Sequence, residues 1–315
     1  MKQGKCYAVL VLLITIACNH TPAVISNHIA FEQRLSAYRL FKTALVPAEG
    51  VTIIEIASAL FTDYAEKQRL LKLPAGKKVI LRGDSLPIFP EGTIIAKTFY
   101  YTEDTNRQII ETRLLLLKDH QWNAATYRWQ EDQQDATLLT EGAIVHVNIG
   151  KHKTTAYRIP GQSDCASCHR SGNALSPIGP KAANLNITVS RDGIRQNQLS
   201  WLMKKGIFEQ ADLSSIASLP DYNDTTLPVT ARARAYLDIN CAHCHQSTGM
   251  AAHTSLKLGY FTPYDQTGIE FNRQQIIIRM TTMGEFHMPK IGTTMIHAEG
   301  LQLVKQYIKD LQNER

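Results

Sequence analysis

Three residues near the middle of the chain, Cys165, Cys168 and His169, stand in the order C-x-x-C-H, and the order returns at Cys241, Cys244 and His245. The spacing suits covalent attachment of haem. Two thiols reach the two vinyl groups of one porphyrin, each S–H adding across a vinyl double bond, and the adjoining imidazole presents a nitrogen to the iron. A single match would also suit a zinc half-site or a thiol redox pair. Two matches in one chain favour haem, so two covalently attached haem c groups are the expected cofactors. Cys165, Cys168, Cys241 and Cys244 would carry the porphyrins, and His169 and His245 the irons.

The remaining cysteines support that reading. Of six in all, Cys6 falls in an N-terminal leader, "MKQGKCYAVLVLLITIACNH", whose apolar run is too short to span a bilayer comfortably and matches an export signal over residues 1–17. The end of the leader, Thr15-Ile16-Ala17-Cys18, resembles the bacterial lipobox, with Thr15 in place of the usual leucine. The resemblance implies lipidation of Cys18, attachment to a membrane through the N-terminus, and a place on the periplasmic side of the cell envelope; Asn19 resembles the sorting pattern of outer-membrane lipoproteins. An ordinary cleaved signal with an incidental cysteine is the alternative. No cysteine is left for a structural disulfide, which is unusual for a chain sent to an oxidising compartment.

The elements that must position these residues are read from composition and pattern. At 315 residues the chain is long enough for two domains, and 44% hydrophobic with 20% charged residues is ordinary for a globular protein. The formal charge of +6 falls to about +4 without Lys2 and Lys5, too weak and diffuse to imply a nucleic-acid partner. Residues 18–50 read as a tether followed by an amphipathic docking helix in "FEQRLSAYRLFKTAL". Residues 51–155 read as a β-rich domain of consecutive hairpins, with strands expected in "KKVILRG", "GTIIAKTFYYT", "RQIIETRLLLLKD", "NAATYRWQ", "DATLLT" and "GAIVHVNIG". "ETRLLLLKDHQW" has helical propensity, but its neighbours argue for strand.

The first haem-binding region, 156–225, is loop-rich around its motif and then helical in "QNQLSWLMKKG", with Gly206 as a stop. In the last region, 226–315, a helix with Thr230 as N-cap runs into Cys241, and "AEGLQLVKQYIKDLQ" predicts a C-terminal amphipathic helix. The expected fold class is therefore α+β, with a β-rich N-terminal domain followed by a mainly α-helical diheme region.

Around the second motif, the order helix, C-x-x-C-H, Met288-Pro289 and terminal helix resembles class I cytochrome c. That resemblance implies Met288 as the sixth iron ligand, with Met280, Met283, Met295 and His287 as rivals. His243 and His253 are expected to be exposed. The first motif lacks a preceding helix. Its "SPIGPKAANL" is similar to the Gly-Pro-x-x-Leu element of cytochromes c, which implies that the carbonyl of Pro180, or of Pro177, orients His169. The distal side of this haem has several candidates: Met203, His146, His152, His120, or no protein ligand.

As a whole the chain resembles a family of bacterial diheme c-type cytochromes thought to be exported lipoproteins, whose physiological role is largely uncharacterised. The resemblance is carried by "ALFTDYAEKQRLLKLPAGKKV", "FPEGTIIAKTFYY", "IIETRLLLL", "YRWQEDQQDATLL", "YRIPGQSDCASCH" and "ARARAYLDINCAHCH". It implies architecture more than substrate. The expected function is single-electron transfer between redox partner proteins. The alternatives are a diheme peroxidase or oxidase with one open iron, and a haem sensor or cytochrome subunit of a dehydrogenase.

Overall fold

The structure, a computed structural model, describes residues 29–149, 154–290 and 292–313. Cys18 and His152 lie outside the described residues. The fold is α+β. After a short hairpin of β1 (Phe41–Thr43) and β2 (Val46–Pro47), six strands form an antiparallel meander in chain order: β3 (Val51–Ile53), β4 (Glu66–Lys72), β5 (Ile94–Glu103), β6 (Asn106–Lys118), β7 (Gln121–Trp129) and β8 (Ala136–Leu139).

Both faces of this sheet are covered. Leu70, Leu114 and Tyr127 pack beneath Phe31, Leu35 and Leu40 of the N-terminal segment. On the opposite face Leu71, Ile95 and Leu115 pack against Leu199, Leu202 and Phe208, from beyond the first motif. Burial on two sides explains why "RLLLLK" on β6 shows no alternation: successive side chains point to opposite faces and both faces are apolar.

The N-terminal segment docks as expected, but not as a helix. Only Leu35–Tyr38 forms a turn of 3-10 helix, because Arg39 at φ 50° takes the chain out of helical geometry. Anchoring comes instead from Tyr38 packed edge-on against Tyr127, whose hydroxyl donates to the Glu32 carbonyl at 2.7 Å. The expected strand "KKVILRG" is also absent as a ladder: Val79 makes one isolated bridge to Phe208, and Ile80 one to Ile88.

A hairpin of β9 (Ala143–Asn148) and β10 (Thr154–Ile159) delivers the chain to α1 (Cys165–His169). The small hairpin β11 (Arg170–Ser171) and β12 (Ala174–Leu175) follows, then α2 (Ala182–Leu185), the hairpin β13 (Thr188–Arg191) and β14 (Ile194–Asn197), and α3 (Gln198–Lys204). The last region holds α4 (Val229–Leu237), a wide π-type turn over Asp238–Ala242, α5 (Ile269–Thr281) and α6 (Ala298–Asn313).

Helix α4 begins at Pro228, not at Thr230 as expected; the Pro228 carbonyl accepts from the Arg232 amide at 3.1 Å. Helix α5 escaped the sequence reading because its pattern is weak: only Ile269, Ile276 and Met280 are buried, while Phe271 is 91% exposed. Helices α4 and α6 pack through Gly300, where a Cβ would stand 2.3 Å from the Tyr236 ring, so glycine is what lets the two helices approach.

Candidate haem-attachment sites

The first motif is a single helical turn set by its flanks. Strand β10 ends at Ile159, the Pro160-Gly161 corner turns the chain, and the Asp164 carboxylate accepts from the Gly161 amide at 3.0 Å. Cys165, Cys168 and His169 follow on α1. The second motif is reached through α4 and the π-type turn, which carries Cys241. The carbonyl of Cys241 then accepts from the amides of Cys244, at 3.1 Å, and His245, at 2.9 Å.

All four thiols are free. Burial pushes Cys165 up to about 11 and Cys241 and Cys244 up to about 12, and it raises Cys168 as well. A thiol redox pair works through a depressed pKa and a ready thiolate, and these environments do the opposite.

The two histidines share a tautomer. Nδ1 of His169 lies 2.8 Å from the Ser176 carbonyl, which can only accept, so Nδ1 carries the proton. Nδ1 of His245 lies 3.2 Å from Thr254 Oγ1, whose own proton is donated to the Ala251 carbonyl at 2.8 Å; here too Nδ1 donates. In both rings Nε2 keeps its lone pair, the arrangement a metal-ligating histidine needs. Burial also holds His169 down to about 3, favouring the neutral ring, and lowers His245. The orienting carbonyl at His169 is a correction to expectation: it belongs to Ser176, one residue before Pro177, and not to Pro177 or Pro180. Those prolines line the cavity beside His169.

The motifs touch. Cys244 Sγ lies 3.5 Å from the Ser167 carbonyl, inside the first motif, and the Gly172 amide donates to the Thr248 carbonyl at 2.8 Å. Gly249 permits the close turn after the second motif, since a Cβ there would stand 2.3 Å from the Cys244 carbonyl oxygen. Lys181 binds both carboxylate oxygens of buried Asp238 at 2.8 Å, tying the start of α2 to the turn that carries Cys241.

Beside His169 a cavity of about 540 Å³, its open mouth included, lies against the sheet. Apolar Ile54, Ile95 and Leu115 and cationic Arg69, Lys97 and Arg113 line it together with Pro177–Pro180. Met203, expected as a candidate ligand, does not line this cavity. It is buried in the core with Leu199, Leu202 and Phe208, because α3 turns its apolar side toward the sheet. His146 and His120, the other described candidates, are both exposed, His146 on β9 and His120 in the β6–β7 turn beside Glu91. His243 is not exposed as expected. It is 9% exposed, pushed down to about 4 by burial, with its Nδ1 unpartnered among the described residues; His253 is exposed.

At the second motif a smaller cavity, about 270 Å³ with its mouth, is lined by Tyr236, Asn240, Met280, His287, Pro289, Met295 and others. His287, a rival ligand in the sequence reading, has both nitrogens engaged, Nδ1 with the Thr282 carbonyl at 3.1 Å and Nε2 with Thr293 Oγ1 at 3.2 Å. Met288 is half-buried beside Pro289, and its amide donates to the Arg279 carbonyl at 3.0 Å; its side chain does not line this cavity, whereas Met280 and Met295 do. Sequence reasoning missed Asp63. This buried carboxylate accepts from the amides of Thr294, at 2.8 Å, and Met295, at 3.2 Å, pinning the methionine segment to the connection between β3 and β4.

No protein-family model, curated protein or solved structure matches this chain.

Proposed function

We propose that this protein is a diheme c-type cytochrome that relays single electrons, tethered through Cys18 to the periplasmic side of the cell envelope. The observation that carries the reading is the pairing of two C-x-x-C-H turns in direct contact, each with a histidine whose Nδ1–H is held and whose Nε2 makes no hydrogen bond among the described residues. Haem, when bound, supplies a reversible one-electron couple. Cys165 and Cys168, and likewise Cys241 and Cys244, would anchor the two porphyrins. Ser176 and Thr254 would orient the two ligating rings. Met288, from the segment pinned by Asp63, would complete the second iron, its thioether favouring the reduced metal and a higher potential.

Two features weigh against the rivals of haem. The thiols are raised by burial rather than activated, and among the described residues no group of three or more His, Cys, Asp or Glu forms a metal cage, as a zinc site would need. The last region, with α4 and α6 packed at Gly300 and the methionine segment between α5 and α6, supports its likeness to class I cytochrome c. The β-rich domain would cover the first haem and present a surface to redox partners.

A potentiometric titration tests the relay. Two separate one-electron steps, with no turnover of hydrogen peroxide, are expected. Peroxide-driven oxidation of a small electron donor would favour the enzymatic alternative.

A further inference from the structure

We propose that Nζ of Lys97 is the sixth iron ligand at the first haem, on the face opposite His169. The inference rests on the haem reading of Cys165, Cys168 and His169, and it deepens that reading by naming the distal group.

The floor of the cavity beside His169 is a cross-strand row. Arg69 on β4 stands directly opposite Lys97 on β5, which stands directly opposite Arg113 on β6, and all three line the cavity. Adjacent strands are about 4.8 Å apart, so the row spans about 10 Å of the sheet face. It has an order relative to the motif. Arg113 acts electrostatically on Cys165, Cys168 and His169, Lys97 acts on Cys168 and His169, and Arg69, at the far end, responds to Glu55 and Tyr222. Lys97 therefore occupies the centre of the floor, with the thiols toward one end of the row.

Three basic side chains directly opposite one another would destabilise a sheet if all were charged, so the row calls for a compensating role. Arg113 has one in the fold: its Nε donates to Glu111 at 2.9 Å, and Tyr157 donates to the same carboxylate at 2.6 Å. Lys97 makes no ion pair or hydrogen bond among the described residues; the Glu111 carboxylate, which is held by Arg113, acts on it only through space, and Nζ stands over the Phe99 ring at 4.9 Å. Besides His169, these three cations carry the side-chain nitrogens that line the cavity. A guanidinium stays protonated and is a poor metal ligand, whereas a buried lysine readily sheds its proton. Desolvation, reinforced by Arg69 and Arg113, holds Lys97 well below the usual range and favours the free amine. The amine would donate its lone pair to iron after releasing one proton through the cavity mouth, with no change of oxidation state. With both faces occupied, the iron offers no open position, which suits a carrier.

The test uses the full, matured chain and reads low-temperature electron paramagnetic resonance of the oxidised form together with carbon monoxide binding to the reduced form. In the wild type both haems are expected to be low-spin and closed to carbon monoxide. Lys97→Ala and Lys97→Arg should each keep two haems, convert one to high-spin and take up one carbon monoxide per chain. Methylamine should restore the low-spin signal of Lys97→Ala. Retention of the wild-type spectrum in either variant would overturn the proposal, as would loss of a ligand in His243→Ala or Met203→Ala, or a wild-type haem open to carbon monoxide. A matured chain with no haem at Cys165 and Cys168 would overturn the haem reading itself, an outcome distinct from two haems with a different ligand.

Discussion

Cys244 Sγ stands 3.5 Å from the carbonyl oxygen of Ser167, so the second C-x-x-C-H turn rests on the loop between the two thiols of the first. Groups attached to these thiols would lie side by side, and electron tunnelling falls steeply with distance. The expected outcome is magnetic interaction between the two oxidised irons, seen as broadened signals that sharpen when Cys165 and Cys168 are both changed to Ser. Identical line shapes in the two proteins would contradict it.

Met288 is the proposed sulfur ligand of the second iron. Met288→Ala should abolish the near-infrared sulfur-to-iron band and lower the potential of the higher-potential haem, while Met295→Ala should leave the band in place. Since Met295 lines the neighbouring cavity and Met288 does not, the reverse result would transfer the assignment.

Gly300 sets the approach of α6 to α4. An added methyl would meet the buried Tyr236 ring at 2.3 Å, and the Tyr236 hydroxyl is itself engaged with His297 Nδ1 at 3.2 Å, so the ring cannot simply swing away. Gly300→Ala should destabilise the chain by about 1–3 kcal/mol, outweighing the gain of about 1 kcal/mol in helix propensity. Thermal unfolding would show it as a lowered Tm.

Lys181 offsets the charge of Asp238, which is 5% exposed. Lys181→Ala should cost about 1–3 kcal/mol, because among the described residues the carboxylate then keeps only the hydrogen bond from the Tyr260 amide, at 3.1 Å. Asp238→Asn together with Lys181→Ala should recover part of the loss by removing the uncompensated charge. Urea unfolding of the single and double variants measures both effects.

Much of this architecture was legible in the sequence because local pattern and tertiary environment agree. The strands of the meander carry β-branched and aromatic runs between turns, and α6 repeats Leu301, Val304 and Ile308 on one buried face. The C-x-x-C-H residues stand out in the sequence by their spacing, and the structure brings the two motifs into contact.

What escaped depended on contacts distant in sequence. Leu35 and Tyr38 have helical spacing, yet the β-sheet beneath them accepts a turn and a hairpin instead. Met203 reads as a ligand or a core residue from sequence alone, and the structure packs it with Phe208 against the sheet. Lys97 gave no signal, because a lysine in a strand is ordinarily a solvated residue. Only the pairing of Arg69, Lys97 and Arg113 across three strands, in a cavity that His169 also lines, suggests a role for it. Asp63 was silent for the same reason: its partners, Thr294 and Met295, lie more than two hundred residues away.

The central claim is that each C-x-x-C-H turn carries a covalent haem, and intact mass spectrometry of the denatured, matured chain tests it most directly. The account predicts a mass increased by two haem groups that survive denaturation, falling to one when Cys165 and Cys168 are replaced by Ser and to one when Cys241 and Cys244 are replaced. A wild-type chain that matures without added haem, or that carries zinc instead, would contradict it.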